Sequence, residues 1–259
     1  MNKMSKRIYT KAIVRTPGEN FGQGITTSVL GKPNYHLALE QHHTYCESLK
    51  ECGLELIVLE PDLDFPDSTF VEDTAIVTER CAVITRPGDK RRRGEEERIK
   101  KELSGHRKIE VIYEPGTVDG GDVLRVKEHF YIGLSTRTNS VGGNQLGDIL
   151  RKYAYSSSMV QIDKMLHLKS GVNFLDQNNL VIWEELKHLP EFNGFDIISV
   201  ISGEKYAANC LLINNRVLIP AGFPDVKEKL EDRKYQVLEL DVSEFEKMDG
   251  GLTCLSIRF

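Results

Sequence analysis

The chain has little of what marks membrane, secreted or nucleic-acid-binding proteins. Its 259 residues include no apolar run long enough to span a bilayer, and its polar start lacks the apolar segment of a signal peptide. The formal net charge is −5 and no long stretch is basic, which gives no electrostatic support to nucleic-acid binding. We therefore expect a cytoplasmic protein without a membrane or nucleic-acid partner.

The chain also lacks the spacing signals of disulfide and metal frameworks. Its five cysteines are an odd number and include no Cys-x-x-Cys pair, which argues against a disulfide framework and a zinc site and indicates a reducing compartment. His36, Glu40 and His43 share a helical face but do not have His-x3-His spacing. No Gly-rich phosphate loop is present. We expect no metal site. Because the cysteines form no disulfide framework, one thiol can serve as a reactive group.

A weak internal repeat organises the sequence. Each unit contains a hairpin of two short apolar strands, a helical stretch and a further strand. The hairpins are predicted at residues 71–85, 120–133, 170–183 and 208–220, and a fifth pairs residues 252–259 with residues 8–15. Five units with a period of roughly 40–50 residues are typical of propeller-like repeats. We predict one α/β domain over residues 1–259, a five-bladed α/β propeller closed by pairing of the chain ends.

Each predicted helix is followed by a predicted strand. The first helix follows Pro33 and stops at Gly53, and the second has acids in its first turn. The predicted helices are residues 33–52, 95–103, 143–153, 184–189 and 225–234, and the strands that follow them are residues 54–59, 109–113, 159–162, 197–201 and 237–240.

Cys254 and His167 are the candidates for nucleophile and general acid/base. Cys254 ends the segment DGGLTC, whose glycines let the backbone turn sharply before a strand and leave the thiol accessible. A free cysteine is more often a small buried hydrophobe, and a lone histidine such as His167 is more often a hydrogen-bonded core residue. Together they are the minimal set for thiol catalysis.

Acidic side chains cluster where a cationic ligand would neutralise them. Asp67, Glu72 and Asp73 lie in one short segment, and Asp119 and Asp122 lie in another. Carboxylates at the mouths of apolar strands are costly to bury without a partner, and a cation supplies one. Turn and cap chemistry explains Asp122 equally well.

Arginines provide the opposite charge. The guanidinium groups of Arg137 and of one member of the run 91–93 match a carboxylate and can clamp it together. A run of three arginines is more often a solvated loop. The loop at residues 16–31 contains four glycines, and we hypothesise that it is a mobile lid over the ligand.

Seven segments in order resemble the dimethylarginine dimethylaminohydrolase family, within the guanidine-modifying (pentein) superfamily. They are FVEDT at 70–74, TRPG at 85–88, PGTVD at 115–119, TRTN at 136–139, LHLK at 166–169, AANC at 207–210 and DGGLTC at 249–254. The resemblance covers residues 16–259. It implies a five-bladed α/β propeller, in agreement with the repeat count, and hydrolysis of a methylated arginine to citrulline without a cofactor.

The resemblance also implies the catalytic roles. Cys254 matches the nucleophile and His167 the general acid/base. Asp119 matches the acid that orients the histidine, where some bacterial members carry Glu.

The implied substrate contacts surround these residues. Glu72 and Asp73 match the guanidinium-binding carboxylates. Asp67 and the carbonyl of Ile25, where Leu is typical, match the site of the α-amino group. The remaining implied contacts are the carbonyl of Met248 and a carboxylate clamp formed by Arg92 and Arg137. Because Arg91 and Arg93 are adjacent to Arg92, it stays open which of these three arginines contacts the carboxylate.

Other functions stay open at this stage. An arginine deiminase would use the same nucleophile and acids and release ammonia, and an amidinotransferase would pass the intermediate to an amine. An agmatine-type enzyme is disfavoured because two arginines would face a substrate without a carboxylate. A non-catalytic binding protein would lack Cys254 or His167. A homodimer through the exposed face of the first helix is an open alternative.

Overall fold

The computed structural model describes residues 9–163 and 165–259. Ile8, the first residue of the predicted N-terminal strand, lies outside the described residues. The described strands are Lys11–Arg15 (β1), Glu55–Leu59 (β2), Ala75–Val77 (β3), Ala82–Ile84 (β4), Ile109–Val111 (β5), Val123–Val126 (β6), His129–Leu134 (β7), Ser156–Gln161 (β8), Val172–Phe174 (β9), Asn179–Trp183 (β10), Asp196–Val200 (β11), Leu211–Ile213 (β12), Arg216–Pro220 (β13), Gln236–Leu240 (β14) and Ile257–Arg258 (β15). The α-helices are Tyr35–Glu51 (α1), Glu96–Leu103 (α2), Ser140–Lys152 (α3), Pro224–Asp232 (α4) and Ser243–Glu246 (α5).

The strands form five three-stranded sheets with one repeated topology. Their orders are β15-β1-β2, β3-β4-β5, β6-β7-β8, β9-β10-β11 and β12-β13-β14. In each sheet the middle strand pairs antiparallel with the first strand and parallel with the third. The five predicted hairpins are therefore confirmed, including the one that joins the two ends of the chain, where Ala12 pairs with Arg258.

Burial follows the position of a strand in its sheet. The middle strands are more buried than the third strands, as in β10, where Leu180 to Trp183 are all buried. The third strands are partly exposed, and Val58 of β2 is 54% exposed. The strand predicted at residues 54–59 is present but only partly buried, because a strand at the edge of its sheet keeps one face toward solvent.

Four of the five parallel crossovers contain an α-helix, and one does not. The predicted helix at residues 184–189 is wrong: the segment between β10 and β11 forms two 3-10 turns, Glu184–Leu186 and Pro190–Phe192. Pro190 cannot continue a helix, and the residues before it are too few to nucleate one. The one-turn helix α5 was missed because four residues show no helical period. No helix in the described parts of the chain has the length and apolarity needed to cross a membrane.

The backbone of helix α3 packs directly on the segment Thr117–Asp119, which precedes β6 in the chain. Asn139 caps the helix by accepting the N–H of Gly142 at 2.7 Å. A β-carbon on Gly142 would overlap the backbone of Thr117. Position 142 therefore admits only glycine, and the contact places the Thr117–Asp119 backbone.

We predict that Gly142→Ala destabilises the fold although alanine favours helices. The overlap with Thr117 should lower the free energy of unfolding by about 1–3 kcal/mol. Gly147→Ala in the same helix is the matched control, because its β-carbon would meet only the side-chain oxygen of Ser157 at 3.0 Å. That control should change stability by no more than about 1 kcal/mol. Urea unfolding measures both, and equal midpoints would contradict the prediction.

Candidate active site

Cys254 lies in a 3-10 turn, Leu252–Leu255, directly before β15 rather than in the strand itself. The N–H of Gly251 points at its sulfur, with a donor–acceptor distance of 3.4 Å. Asn209 holds the turn, because its Oδ1 accepts the N–H of Thr253 at 3.0 Å and its Nδ2 donates to the Thr253 hydroxyl at 3.2 Å. The other four cysteines are buried, whereas Cys254 is partly accessible.

A narrow pocket brings Cys254 together with most of the predicted site. Eight of the ten predicted residues line it: Ile25, Asp67, Asp73, Arg92, Arg137, His167, Met248 and Cys254. The other two predicted residues, Asp119 and Glu72, do not line this pocket. Asp119 is fully buried behind His167, and Glu72 lines a second cavity.

His167 is buried among carboxylates. Its Nε2 lies 3.1 Å from Oδ2 of Asp119, and its Nδ1 lies 4.0 Å from Oδ1 of Asp73. Burial favours the neutral ring, but the charges of Asp73 and Asp122 and the hydrogen bond with Asp119 outweigh it and raise the pKa of His167 to about 9. The imidazole is therefore protonated at neutral pH and able to donate a proton.

Asp73 remains ionised although it is buried. Burial raises the pKa of its carboxyl, but His167 and Arg92 hold it well below the usual range. Nη1 of Arg92 donates to Oδ2 at 2.6 Å and the N–H of Gly121 donates to Oδ1 at 2.9 Å. A β-carbon on Gly121 would lie 2.6 Å from Nδ1 of His167, so glycine is needed for this close approach.

Arg92 is the member of its run that reaches the pocket. Arg91 is exposed and paired with Asp89, and Arg93 donates to the carbonyl of Pro87 at 3.1 Å. Arg92 is buried and donates to both carboxylate oxygens of Glu95 as well as to Asp73. Burial raises the pKa of Glu95 to about 7, against the opposing charge of Arg92.

Arg137, Asp67 and Ile25 also line the pocket. Nη1 of Arg137 lies 3.8 Å from Oδ2 of Asp119. Both carboxylate oxygens of Asp67 accept the N–H of Ile25, at 3.1 and 3.0 Å. Burial raises the pKa of Asp67 above its ordinary value.

Glu72 is held by two cations. Its Oε1 lies 2.7 Å from Nζ of Lys169 and 2.9 Å from Nη2 of Arg258. Within the described part of the chain, its buried Oε2 has no hydrogen-bond partner. This oxygen is the one acceptor of Glu72 that remains for a ligand.

The thiol of Cys254 lies in a strongly negative environment. Burial, followed by the charges of Glu72 and Asp73, raises the pKa of Cys254 to about 12. The thiol is therefore neutral in the empty pocket at physiological pH. A cation in the pocket would lower this pKa by offsetting the two carboxylates.

Reasoning from sequence missed several residues that support the site. Glu95 follows Arg92 by three residues, and Lys169 follows His167 by two, so proximity to predicted residues was the available signal. Asn209 lies in the motif AANC at 207–210 but was given no role, and nothing local marks Arg258. Asp122 proves to be a buried acceptor for the hydroxyls of Ser135 and Thr138 and for the N–H of Leu168, which fits the cap role considered for it.

Asp73, Asp119 and His167 also meet the spacing of a metal site. Among the residues that the structure describes, their potential ligand atoms lie within 4.8 Å of one another. A histidine must be unprotonated to bind a metal. The raised pKa of His167 therefore favours a proton over a cation at this position.

Comparisons with known proteins agree with the geometry. A family model described as N,N dimethylarginine dimethylhydrolase, eukaryotic, matches residues 30–257. The chain is 47% identical to the N(G),N(G)-dimethylarginine dimethylaminohydrolase of Pseudomonas aeruginosa over 97% of this chain and 100% of that protein.

Two crystal structures are similar over nearly the whole chain. A variant of the Pseudomonas aeruginosa enzyme with serine in place of a cysteine, complexed with citrulline, has a TM-score of 0.96 at 46% identity and covers 98% of this chain and 100% of its own. An adduct of a dimethylarginine dimethylaminohydrolase variant with S-methyl-L-thiocitrulline also has a TM-score of 0.96 at 46% identity, over 97% of this chain and 100% of its own.

We predict that His167 titrates near pH 9 and that Asp119→Asn lowers this midpoint, because one of the charges that favour the imidazolium is removed. NMR of the imidazole protons measures it, with His167→Asn assigning the signal among seven histidines. His42, whose pKa burial lowers to about 4, is the internal control. Since the folded pKa of His167 is raised, its stabilising contribution is complete below pH 6.5 and is lost as the pH rises past about 9. A midpoint near 6.5 would contradict the assignment.

Proposed function

Because the chain belongs to the dimethylarginine dimethylaminohydrolase family, we propose that it hydrolyses asymmetric dimethylarginine and monomethylarginine to citrulline and an alkylamine. The observation that carries the proposal is the pocket lined together by the thiol of Cys254, the imidazole of His167 and the carboxylate of Asp73. The citrulline held by the Pseudomonas aeruginosa relative is the product expected from this reaction.

The guanidinium group binds between the carboxylates of Asp73 and Glu72. Oε2 of Glu72 supplies an acceptor that no protein donor uses among the described residues, and Asp73 is ionised. A guanidinium carbon is a poor electrophile, so the carboxylates serve by holding the group flat and in place for attack. The carbonyl of Met248, beside the nucleophile loop, is a further contact for this group.

The amino-acid end of the substrate binds at the part of the pocket formed by Asp67, Ile25, Arg92 and Arg137. Asp67 and the carbonyl of Ile25 bind the α-amino group. The carboxylate of Asp67 neutralises the positive charge of the ammonium group, which loses its hydration on binding. Arg92 and Arg137, which line the same pocket, clamp the α-carboxylate. A substrate with both an ammonium and a carboxylate therefore satisfies this part of the pocket better than one without them.

Catalysis proceeds in two halves. The bound guanidinium lowers the pKa of Cys254, the thiol releases its proton to solvent water, and the resulting thiolate attacks the guanidinium carbon. His167, held by Asp119, donates its proton to the alkylamine nitrogen, the carbon–nitrogen bond breaks, and a covalent thiouronium remains on Cys254. Water then attacks the same carbon and gives a proton to His167, the carbon–sulfur bond breaks, and citrulline leaves.

The five sheets are the blades of an α/β propeller in this proposal. One cavity of about 130 Å³ is lined by the first strand of every sheet, at Ile76, Leu124, Phe174, Leu212 and Ile257. Five sheets whose first strands share one cavity are expected from a ring around a central axis. Pairing of β1 with β15 supports closure of that ring.

A single domain over the whole chain, a cytoplasmic location, a role in arginine metabolism, and a homodimer without a membrane or nucleic-acid partner remain predictions. All five cysteines are free.

We predict that Cys254→Ser abolishes citrulline formation from monomethylarginine, with a loss greater than about a thousandfold, because the nucleophile is removed. Acid quench of the wild-type enzyme during turnover should leave an adduct on the peptide that contains Cys254, detected by mass spectrometry. Cys52→Ala, at the end of α1 and outside the pocket, is the matched control and should retain activity.

Parallel substrates separate the alternatives. Faster turnover of arginine than of methylated arginines would indicate a deiminase. Transfer to added glycine would indicate an amidinotransferase. An unchanged rate in Cys254→Ser would contradict the mechanism.

We predict that Cys254 stays neutral in the empty enzyme and ionises more readily with a bound cation. Its pKa is raised to about 12 by burial and by Glu72 and Asp73, and a guanidinium offsets both charges. Ultraviolet absorbance of the thiolate, titrated with and without a non-reactive cationic arginine analogue, measures the difference. Cys254→Ser provides the blank for the other thiols. A low pKa in the empty enzyme would refute this.

A further inference from the structure

The lid loop, residues 16–31, is anchored at its root and lies open to solvent at its tip. Phe21 is buried, with ring centroids 5.9 Å from Phe70 and 5.4 Å from Phe245. At the tip, Val29 and Leu30 are 96% and 55% exposed. The contacts made between root and tip therefore decide whether the loop covers the pocket.

Three of those contacts converge on one carboxylate oxygen. Oδ2 of Asp249 accepts the N–H of Thr27 at 2.6 Å, the hydroxyl of Thr27 at 3.1 Å and the hydroxyl of Thr26 at 3.2 Å. The Thr26 hydroxyl is also 3.0 Å from the carbonyl of Lys247. Loss of this one side chain would therefore remove three hydrogen bonds between the lid and the rest of the protein.

Asp249 also belongs to the loop that presents the nucleophile. It lies between Met248 and Gly250, and all three line the pocket with Cys254. Its backbone has φ of +58°, a conformation that glycine adopts without strain and other residues adopt at a cost. Two glycines follow it directly, yet this position carries a side chain, which is expected where the side chain makes a contact that offsets the strain.

Asp67, the other carboxylate that contacts the lid, cannot hold the lid throughout the reaction. Asp67 accepts the N–H of Ile25, but in the proposed function it also receives the α-amino group of the substrate. The contact of Asp249 with Thr26 and Thr27 does not compete with the substrate in that way.

We propose that Asp249 is a positioning residue that fastens the lid to the nucleophile loop through Thr26 and Thr27, so that the empty enzyme holds its pocket closed over Cys254. The role in turnover rests on the proposed function, whereas the lid contact itself does not. A lid that is closed for a smaller fraction of the time weakens substrate binding by that fraction. Saturating substrate restores closure, so the contact acts on KM more than on kcat.

Two sets of variants test this by hydrogen exchange of the amides at residues 24–30 in the empty enzyme. Asp249→Gly removes the carboxylate and relieves the strain at φ +58°, so it should leave the melting temperature unchanged or higher. Thr26→Val with Thr27→Val removes both hydroxyls without a change of charge or shape. Lid exchange should rise by about tenfold in Asp249→Gly and by less in the valine pair, which keeps the Thr27 N–H bond. Thr44→Val, which removes one exposed hydroxyl contact on α1, is the matched control.

Kinetics give the second readout. KM for monomethylarginine should rise by about tenfold in Asp249→Gly with kcat within about twofold of the wild type. Asp249→Asn keeps one acceptor oxygen and should be intermediate in both measurements. Unchanged lid exchange in Asp249→Gly would overturn the proposal. Absence of methylarginine turnover in the wild type would overturn the proposed function alone, because the exchange measurement needs no substrate.

Discussion

The site depends on a group of carboxylates buried around one thiol and paired with separate cations. Asp73 is matched by Arg92 and His167, and Glu72 by Lys169 and Arg258. Buried charges persist only when such partners and hydrogen bonds replace water. Burial, Glu72 and Asp73 raise the pKa of Cys254, and Asp73 is also among the carboxylates that raise the pKa of His167, so the thiol is protonated and the imidazole charged before a substrate arrives. A cationic substrate completes this arrangement, which explains how a site with a neutral thiol can carry out thiolate chemistry.

Close backbone packing brings these charges together. The residues of the site come from different repeats, and they meet because glycines allow approaches that a β-carbon would prevent. Gly120 lies against the carbonyl of Glu72, and Gly121 lies against the imidazole of His167. The N–H of Gly121 is also a donor to Asp73, so the glycine that makes room for the histidine also stabilises its neighbouring carboxylate. Rigid positioning of this kind suits a reaction whose catalysis relies on orientation and fixed charge.

The rest of the pocket is less fixed. The wall formed by Ile25 and Asp67 belongs partly to the lid loop, whose tip is exposed and whose glycines permit movement. Access and chemistry therefore depend on different parts of the molecule. In the proposed mechanism the sheets hold Cys254, His167 and Asp119 in place, and the lid loop is proposed to control whether water and substrate reach them.

The sequence by itself determined the hairpins and the pairing of the chain ends, because apolar periodicity is a local signal, and its resemblance to a known family supplied the candidate residues of the pocket through short motifs. It mistook residues 184–189 for a helix, since Pro190 acts beyond the window of the pattern. Only the tertiary structure decided that Arg92 rather than Arg91 or Arg93 reaches the pocket, that Glu95 holds it, and that Glu72 is turned toward Lys169 and Arg258. Some of these contacts join side chains that are far apart in the chain, and others depend on which of three adjacent arginines is buried. Burial and charge decide which contacts form only after the sheets have packed.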